Sequence, residues 1–79
     1  MNEAPEILEL IYRQIKEAQA KVFKPKIRIW MSKNDERMLI FSVQPYIYDV
    51  RMKRLFGEEV IISDDAKDGH PEVEVIPDR

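Results

Sequence analysis

Few side chains in this sequence could serve as a nucleophile or as the base that activates one. The 79 residues include no cysteine and one histidine, His70. The serines are Ser32, Ser42 and Ser63, each within or at the end of a predicted strand. Serine hydrolases present their nucleophile on a strained turn beside a histidine held by an acid, and the sequence motif of that turn is missing. We therefore expect no catalytic residue and no enzymatic activity.

The acidic segment 64–70 (DDAKDGH) has the residue types of a metal site. Aligned with a calcium-binding loop, Asp64, Asp68 and Gly69 take the first, fifth and sixth positions. The third and twelfth positions then hold alanine and valine, whose side chains cannot bind calcium. The chain also has no glycine-rich phosphate loop and no Cys/His spacing typical of zinc. We expect a solvated loop, with no metal and no cofactor.

Binding to a macromolecule has more candidate residues than catalysis. Cationic side chains contact phosphates or acidic surfaces, and exposed aromatic rings stack on bases or pack against a partner. The residues that we predict to bind a partner are Arg28, Trp30, Tyr46, Tyr48, Arg51 and Arg54. The alternative for Trp30 is that another element of the domain, or a second copy of it, covers the ring.

The formal net charge of −2 conceals two oppositely charged regions. Residues 10–56 have eleven Lys or Arg and four acids, a balance of +7, whereas residues 57–79 have eight acids and two basic residues, a balance of −6. We expect these regions to neutralise each other within the fold. The basic region could instead bind nucleic acid, and the acidic region could bind a basic partner. A pI of about 5.4 and the lack of a helix-turn-helix, zinc-finger or RNA-recognition motif weigh against nucleic acid.

A chain of this length builds one domain with a small core, and without cysteine it has no disulfide to support that core. Small domains without disulfides are commonly stabilised by oligomerisation. We therefore expect a homodimer, with a self-association surface at Met52, Leu55 and Phe56. No apolar run is long enough to span a membrane, and the first ten residues are acidic where a signal peptide would be basic. We expect a cytoplasmic protein that does not bind membranes.

The spacing of apolar residues predicts a helix over about residues 5–22. They recur at steps of three and four, at Ile7, Leu8, Ile11, Tyr12, Ile15, Ala18 and Val22. Pro5 suits the first turn, and Pro25 stops the helix. This apolar stripe could be a coiled-coil seam, but it spans fewer than three heptads, so packing on a sheet is favoured.

Residues 26–43 predict a β-hairpin. Ile27, Ile29 and Met31 alternate with Lys26, Arg28 and Trp30, as in a strand with one buried face. A three-residue turn at 34–36 makes one face of the hairpin wholly apolar, whereas a four-residue loop would mix the two faces. The predicted pairs are Ile27–Val43, Ile29–Phe41 and Met31–Leu39.

The remaining chain predicts a helix or strand at 45–56 and a second hairpin at 58–76. Pro45 at the start, the Asp49–Lys53 spacing and Gly57 at the end favour a helix over the alternating strand pattern of 46–53. Residues 58–63 form a short buried strand, and 64–71 form a polar loop. The alternation of 72–76, with glutamates facing outward, is typical of an edge strand.

These elements predict a single α+β domain of order α-β-β-α-β-β, in which the N-terminal helix packs on an antiparallel sheet. The function that fits best is a non-enzymatic interaction protein, an adaptor, regulator or inhibitor like the small accessory proteins of bacteria and phages. The alternative is a nucleic-acid-binding protein that uses the basic and aromatic surface.

Overall fold

The computed structural model describes residues 4–42 and 47–76. The elements in this part of the chain are α1 (Ala4–Lys21), β1 (Lys26–Met31), α2 (Lys33–Ser42), β2 (Tyr48–Asp49), β3 (Arg54–Leu55), β4 (Glu58–Ile62) and β5 (Glu72–Ile76). The five strands form one mixed sheet of order β2-β3-β4-β1-β5. The predicted α+β class is confirmed.

Helix α1 packs on the sheet with most of the apolar stripe that the sequence predicts, whereas Tyr12 and Val22, which were assigned to the same stripe, are exposed. Ile7 and Ile11 are fully buried, and Ile15 and Ala18 are nearly so. On the exposed side, the Arg13 guanidinium lies 3.0 Å from the Glu9 carboxylate, an i,i+4 ion pair in the favourable order. The helix ends at Lys21, and the left-handed conformation of Lys24 (φ 48°) turns the chain into β1.

Strand β1 lies between β4 and β5 and has the predicted alternation. Ile27, Ile29 and Met31 face the core, while Arg28 and Trp30 face the opposite side of the sheet. The core that forms between α1 and the sheet consists of Ala4, Ile7, Ile11, Ile15, Ala18, Ile27, Ile29, Met31, Leu39, Tyr48, Leu55 and Val60.

The predicted hairpin at 26–43 is wrong, because its second half is helix α2. The backbone N–H of Asp35 donates to Ser32 Oγ (3.1 Å), and that of Glu36 donates to Ser32 O (3.1 Å), so Ser32 caps the helix N-terminus. The predicted pairs of Ile29 with Phe41 and of Met31 with Leu39 therefore do not form. Val43, in the third pair, lies outside the described residues.

The predicted helix at 45–56 is also wrong over its described part. Residues 48–55 form a short hairpin of β2 and β3, in which Tyr48 pairs with Leu55. The Asp49 side chain accepts a hydrogen bond from the Met52 N–H (3.1 Å) and thereby stabilises the turn. Phe56 and Gly57 both have positive φ (54° and 79°) and form a two-residue turn between β3 and β4. Gly57 supplies the left-handed conformation expected of it, but in a hairpin turn rather than at a helix end.

The strands at 58–62 and 72–76 form, but they do not pair with each other as a hairpin. Strand β1 lies between them, parallel to β4 and antiparallel to β5. A parallel pair needs a long crossover connection, and α2 with the β2–β3 hairpin supplies it.

Strand β5 is the edge strand that the sequence predicts. The amide of Gln14 accepts a hydrogen bond from the Val73 N–H (3.1 Å) and donates one to Pro71 O (3.0 Å). This side chain occupies the hydrogen-bonding positions that a further strand would use at the start of β5.

Of the helices in residues 4–42 and 47–76, none has the length and apolar character needed to cross a membrane.

Candidate functional site

Trp30 lies on the face of the sheet opposite the core. Its cross-strand neighbours are Glu72 on β5 and Ile61 on β4. The indole Nε1–H donates to Glu74 Oε1 at 2.9 Å, and this bond fixes the orientation of the partly buried ring. The aromatic surface therefore has carboxylates beside it.

Two cavities of about 660 Å³ and about 270 Å³ adjoin Trp30. They share four lining residues and together form what we call the Trp30 groove. Its walls are Gln14, Ser63, Asp65, Ala66, Lys67, His70, Glu72, Val73 and Glu74. With His70 neutral, three carboxylates and one lysine give these walls a formal charge of −2. A volume of this order is typical of sites that bind a small ligand or the side chains of a partner.

Arg28, which we predicted to bind a partner, is paired within the sheet. Its Nε–H lies 3.2 Å from Glu59 Oε1, and its neighbour on β5 is Glu74. One ion pair, Arg28–Glu59, thus joins the basic region to the acidic region on this face, and the neutralisation of the two regions as a whole stays a prediction. The prediction of a basic and aromatic surface around Trp30 therefore does not match the charges observed there.

Tyr48, also predicted to bind a partner, is a core residue and is 2 % exposed. Its hydroxyl donates to Glu36 Oε2 at 2.6 Å, and the same oxygen accepts a bond from Lys53 Nζ. Burial and the Glu36 carboxylate raise the pKa of Tyr48. Burial also acts to raise the pKa of Glu36, but the bonds from Lys53 and Tyr48 outweigh it and lower that pKa. This triad joins α2 to the β2–β3 hairpin, and Tyr48 has no surface to offer a partner.

Of the other predicted partner-binding residues, Arg51 and Arg54 are exposed, and Tyr46 lies outside the described residues. Arg54 donates to Gly57 O at 3.3 Å across the β3–β4 turn. Neither arginine lines the Trp30 groove.

The three residues predicted for self-association lie in different environments. Leu55 is fully buried in the core, so it cannot contact a second copy. Met52 is 67 % exposed and Phe56 is 40 % exposed. The Phe56 ring contacts Tyr12 edge-to-face, with 5.9 Å between centroids. Self-association through Met52 and Phe56 stays a prediction.

The 64–70 loop is tied to the start of α2. The Gly69 N–H lies 3.0 Å and 2.9 Å from the two carboxylate oxygens of Asp35, and Asn34 Nδ2 donates to Asp68 Oδ2 at 2.9 Å. Burial is the main cause that raises the pKa of Asp35, and the Gly69 N–H opposes it. Hydrogen bonds from Ser32 and Asn34 lower the pKa of Asp68. Within residues 4–42 and 47–76, no three His, Cys, Asp or Glu side chains are grouped to hold a metal ion.

A second groove of about 570 Å³ runs along α2 and is more apolar. Its lining includes Met38 and Phe41, and the Phe41 side chain is 82 % exposed. One basic residue, Arg37, and two acids, Asp35 and Asp68, line the groove, and this mixture does not indicate one class of partner.

The sequence indicated Trp30 as a contact residue but not the acids that surround it. Glu72 and Glu74 were predicted to face outward from an edge strand, and they do. That they lie beside Trp30 depends on the pairing of β1 with β5, which are separated by 40 residues of chain. Asp65 and Gln14 had no sequence signal that pointed to this groove.

No known protein family matches this sequence, and comparison with curated proteins and with solved structures finds no match either.

Proposed function

We propose that this chain is a non-enzymatic, intracellular protein-binding module that holds a basic segment of another protein in the Trp30 groove. The observation that supports the proposal is the placement of one indole ring among three carboxylates, those of Asp65, Glu72 and Glu74. A lysine or arginine of the partner would lie over the indole while its charge meets these carboxylates.

The chemistry of the groove favours a cationic side chain over other occupants. A cation above an indole face gains roughly 0.5–2 kcal/mol, and tryptophan is the best of the aromatic residues for this contact. An arginine guanidinium also matches the geometry of a carboxylate with two parallel hydrogen bonds. Because the Glu74 bond already orients the ring, the indole itself loses little freedom on binding.

The same charges make this groove unfavourable for nucleic acid, because phosphates would meet the carboxylates around Trp30. Arg28, the nearest cation on β1, is already paired with Glu59. A nucleic-acid surface would have to lie elsewhere, on Arg51 and Arg54.

Fluorescence anisotropy with a labelled hexa-arginine peptide tests the proposal. The double variant Glu72→Gln/Glu74→Gln keeps the shape of both side chains and an oxygen that can accept the Trp30 indole N–H. We expect about tenfold weaker binding, since two partly shielded ion pairs contribute roughly 0.5–1 kcal/mol each. Binding should also weaken as salt is added.

The matched control is Glu9→Gln/Glu17→Gln, which removes two negative charges from the exposed side of α1. This variant has the same net charge as the groove variant and should bind as the wild type does. Equal loss in both variants would show attraction to net charge alone and would contradict the proposal. A different result would be that the chain binds a single-stranded oligonucleotide more tightly than the peptide, and loses that binding in Arg51→Glu/Arg54→Glu. That result would replace the proposed protein partner with the nucleic-acid alternative.

A further inference from the structure

The 64–70 loop contacts two parts of the fold at once. On one side, Asp65, Ala66, Lys67 and His70 form a wall of the Trp30 groove. On the other side, Gly69 is hydrogen-bonded to Asp35 at the start of α2. The wall of the groove is thus held in place from α2, an element that contributes no residue of its own to the groove's lining.

Asp35 is well placed to hold the loop. Its side chain is 1 % exposed, and its backbone N–H is bonded to Ser32 Oγ, so the residue is fixed within the helix cap. Both carboxylate oxygens accept the N–H of Gly69, a buried residue. Gly69 has φ +77°, a left-handed conformation that favours glycine and directs its N–H at Asp35.

Between these two sides the loop consists of tight turns. The Ala66 N–H donates to Ser63 O (3.2 Å), and the His70 N–H donates to Lys67 O (3.1 Å). The Asp65 N–H is held in addition by Ser63 Oγ at 3.1 Å. Gly69 lies inside the second turn, so its displacement would move His70 directly, and Asp65 through the connecting residues 66–68, relative to Trp30.

The surroundings of the Asp35 carboxylate act on its pKa in both directions. Burial raises its pKa and the Asp68 charge adds to this, whereas Gly69, His70 and Ser32 act in the opposite direction. The net direction is a raised pKa, so the surroundings disfavour the ionised form relative to the protonated form. A buried acid with a perturbed pKa is one marker of a functional site, and the geometry of the Gly69 bond places this one at the loop.

We infer that Asp35 is a positioning residue for the Trp30 groove, whose carboxylate holds the 64–70 loop so that Asp65 and His70 face the indole. The inference rests on the proposed function for the identity of the ligand, but the position of the loop can be measured without any ligand.

The test compares Asp35→Ala with Asp35→Asn in the full chain. Asparagine retains a carbonyl oxygen that can accept the Gly69 N–H, whereas alanine has none. We expect Asp35→Ala to bind hexa-arginine about tenfold more weakly and Asp35→Asn to bind within about twofold of the wild type. Acrylamide quenching of Trp30, which is the single tryptophan, should increase in Asp35→Ala and stay unchanged in Asp35→Asn.

The outcomes separate this inference from the proposed function. If the wild type fails to bind the peptide, the proposed function fails, and the quenching comparison still decides the position of the loop. Unchanged quenching in Asp35→Ala, or equal loss of binding in both variants, would overturn the inference. Should Asp35→Ala not fold, amide exchange in the wild type decides: slow exchange at Gly69 supports the hydrogen bond, and exchange at the rate of an unfolded chain refutes it.

Discussion

Replacing Glu36 with alanine is predicted to lower the free energy of unfolding by about 1.5–4 kcal/mol. The bond from the Tyr48 hydroxyl to this carboxylate contributes roughly 1.5–3 kcal/mol, because it is a bond to a charged group and Tyr48 is 2 % exposed. The Lys53 side chain is 44 % exposed, so its ion pair adds only about 0–1 kcal/mol. A domain of 79 residues has a total stability of roughly 4–12 kcal/mol, so the variant should still fold.

Urea unfolding followed by Trp30 fluorescence measures this loss, with the midpoint and slope fitted together. Tyr48→Phe and the double variant complete a cycle that isolates the bond between the two side chains. Glu9→Ala is the control, since its ion pair with Arg13 is largely exposed and should contribute less than about 0.5 kcal/mol. A loss below about 0.5 kcal/mol in Glu36→Ala, or no coupling to Tyr48, would refute the assignment of this triad as the joint between α2 and the hairpin.

The contribution of Glu36 should also depend on pH. Its pKa in the fold lies below the ordinary value of 4.5, so the stabilisation is present above that value and is lost as pH falls through the pKa of the folded state. Glu36→Gln should therefore show a shallower loss of stability on acidification than the wild type.

Two further results are expected. The pH dependence that Asp35 contributes has the opposite sign from that of Glu36. The pKa of Asp35 in the fold is raised above 3.8, so its contribution to stability falls as pH rises through the pKa of the folded state. Asp35→Asn should flatten that fall in thermal melts taken from about pH 4 to about pH 7, and an unchanged pH dependence would contradict the sign. Phe56→Asp places a charge on a 40 % exposed ring that contacts Tyr12, and is expected to convert a homodimer into a monomer. Light scattering that gives the same molar mass for variant and wild type would count against self-association at this surface.

The elements that the sequence predicted well are those whose own residues show which face is buried. Apolar residues recur with the spacing of a helix in α1 and with the spacing of a strand in β1, and both elements form as expected. The glutamates at positions 72 and 74 also marked an edge strand correctly.

Helix α2 was missed because its buried face does not look apolar. Its buried residues are Asp35, Glu36 and Leu39, two of them acids held by hydrogen bonds, whereas Phe41 is exposed. The apolar run at 38–41 therefore resembled a strand. The available signal was local: Ser32 followed three residues later by Asp35 is a capping pattern for a helix start.

The sheet order could not be derived once that helix was missed. Parallel pairing of β1 with β4 requires a crossover, but the prediction had already paired β1 with residues 39–43 as a hairpin. The acids of the Trp30 groove depend on this order, since β5 reaches Trp30 only when β1 lies between β4 and β5. For the same reason, the charge around Trp30 was predicted with the wrong sign.

The most direct measurement of the central claim is a nuclear magnetic resonance titration of the isotope-labelled chain with hexa-arginine. The protein has one tryptophan, so its indole N–H gives a single signal that reports on the hydrogen bond to Glu74. We expect this signal and the amides of Asp65, Glu72 and Glu74 to shift together and to saturate with the peptide. Shifts confined to Arg51, Arg54 or α2, with the indole signal unchanged, would contradict the claim that the Trp30 groove binds a basic partner.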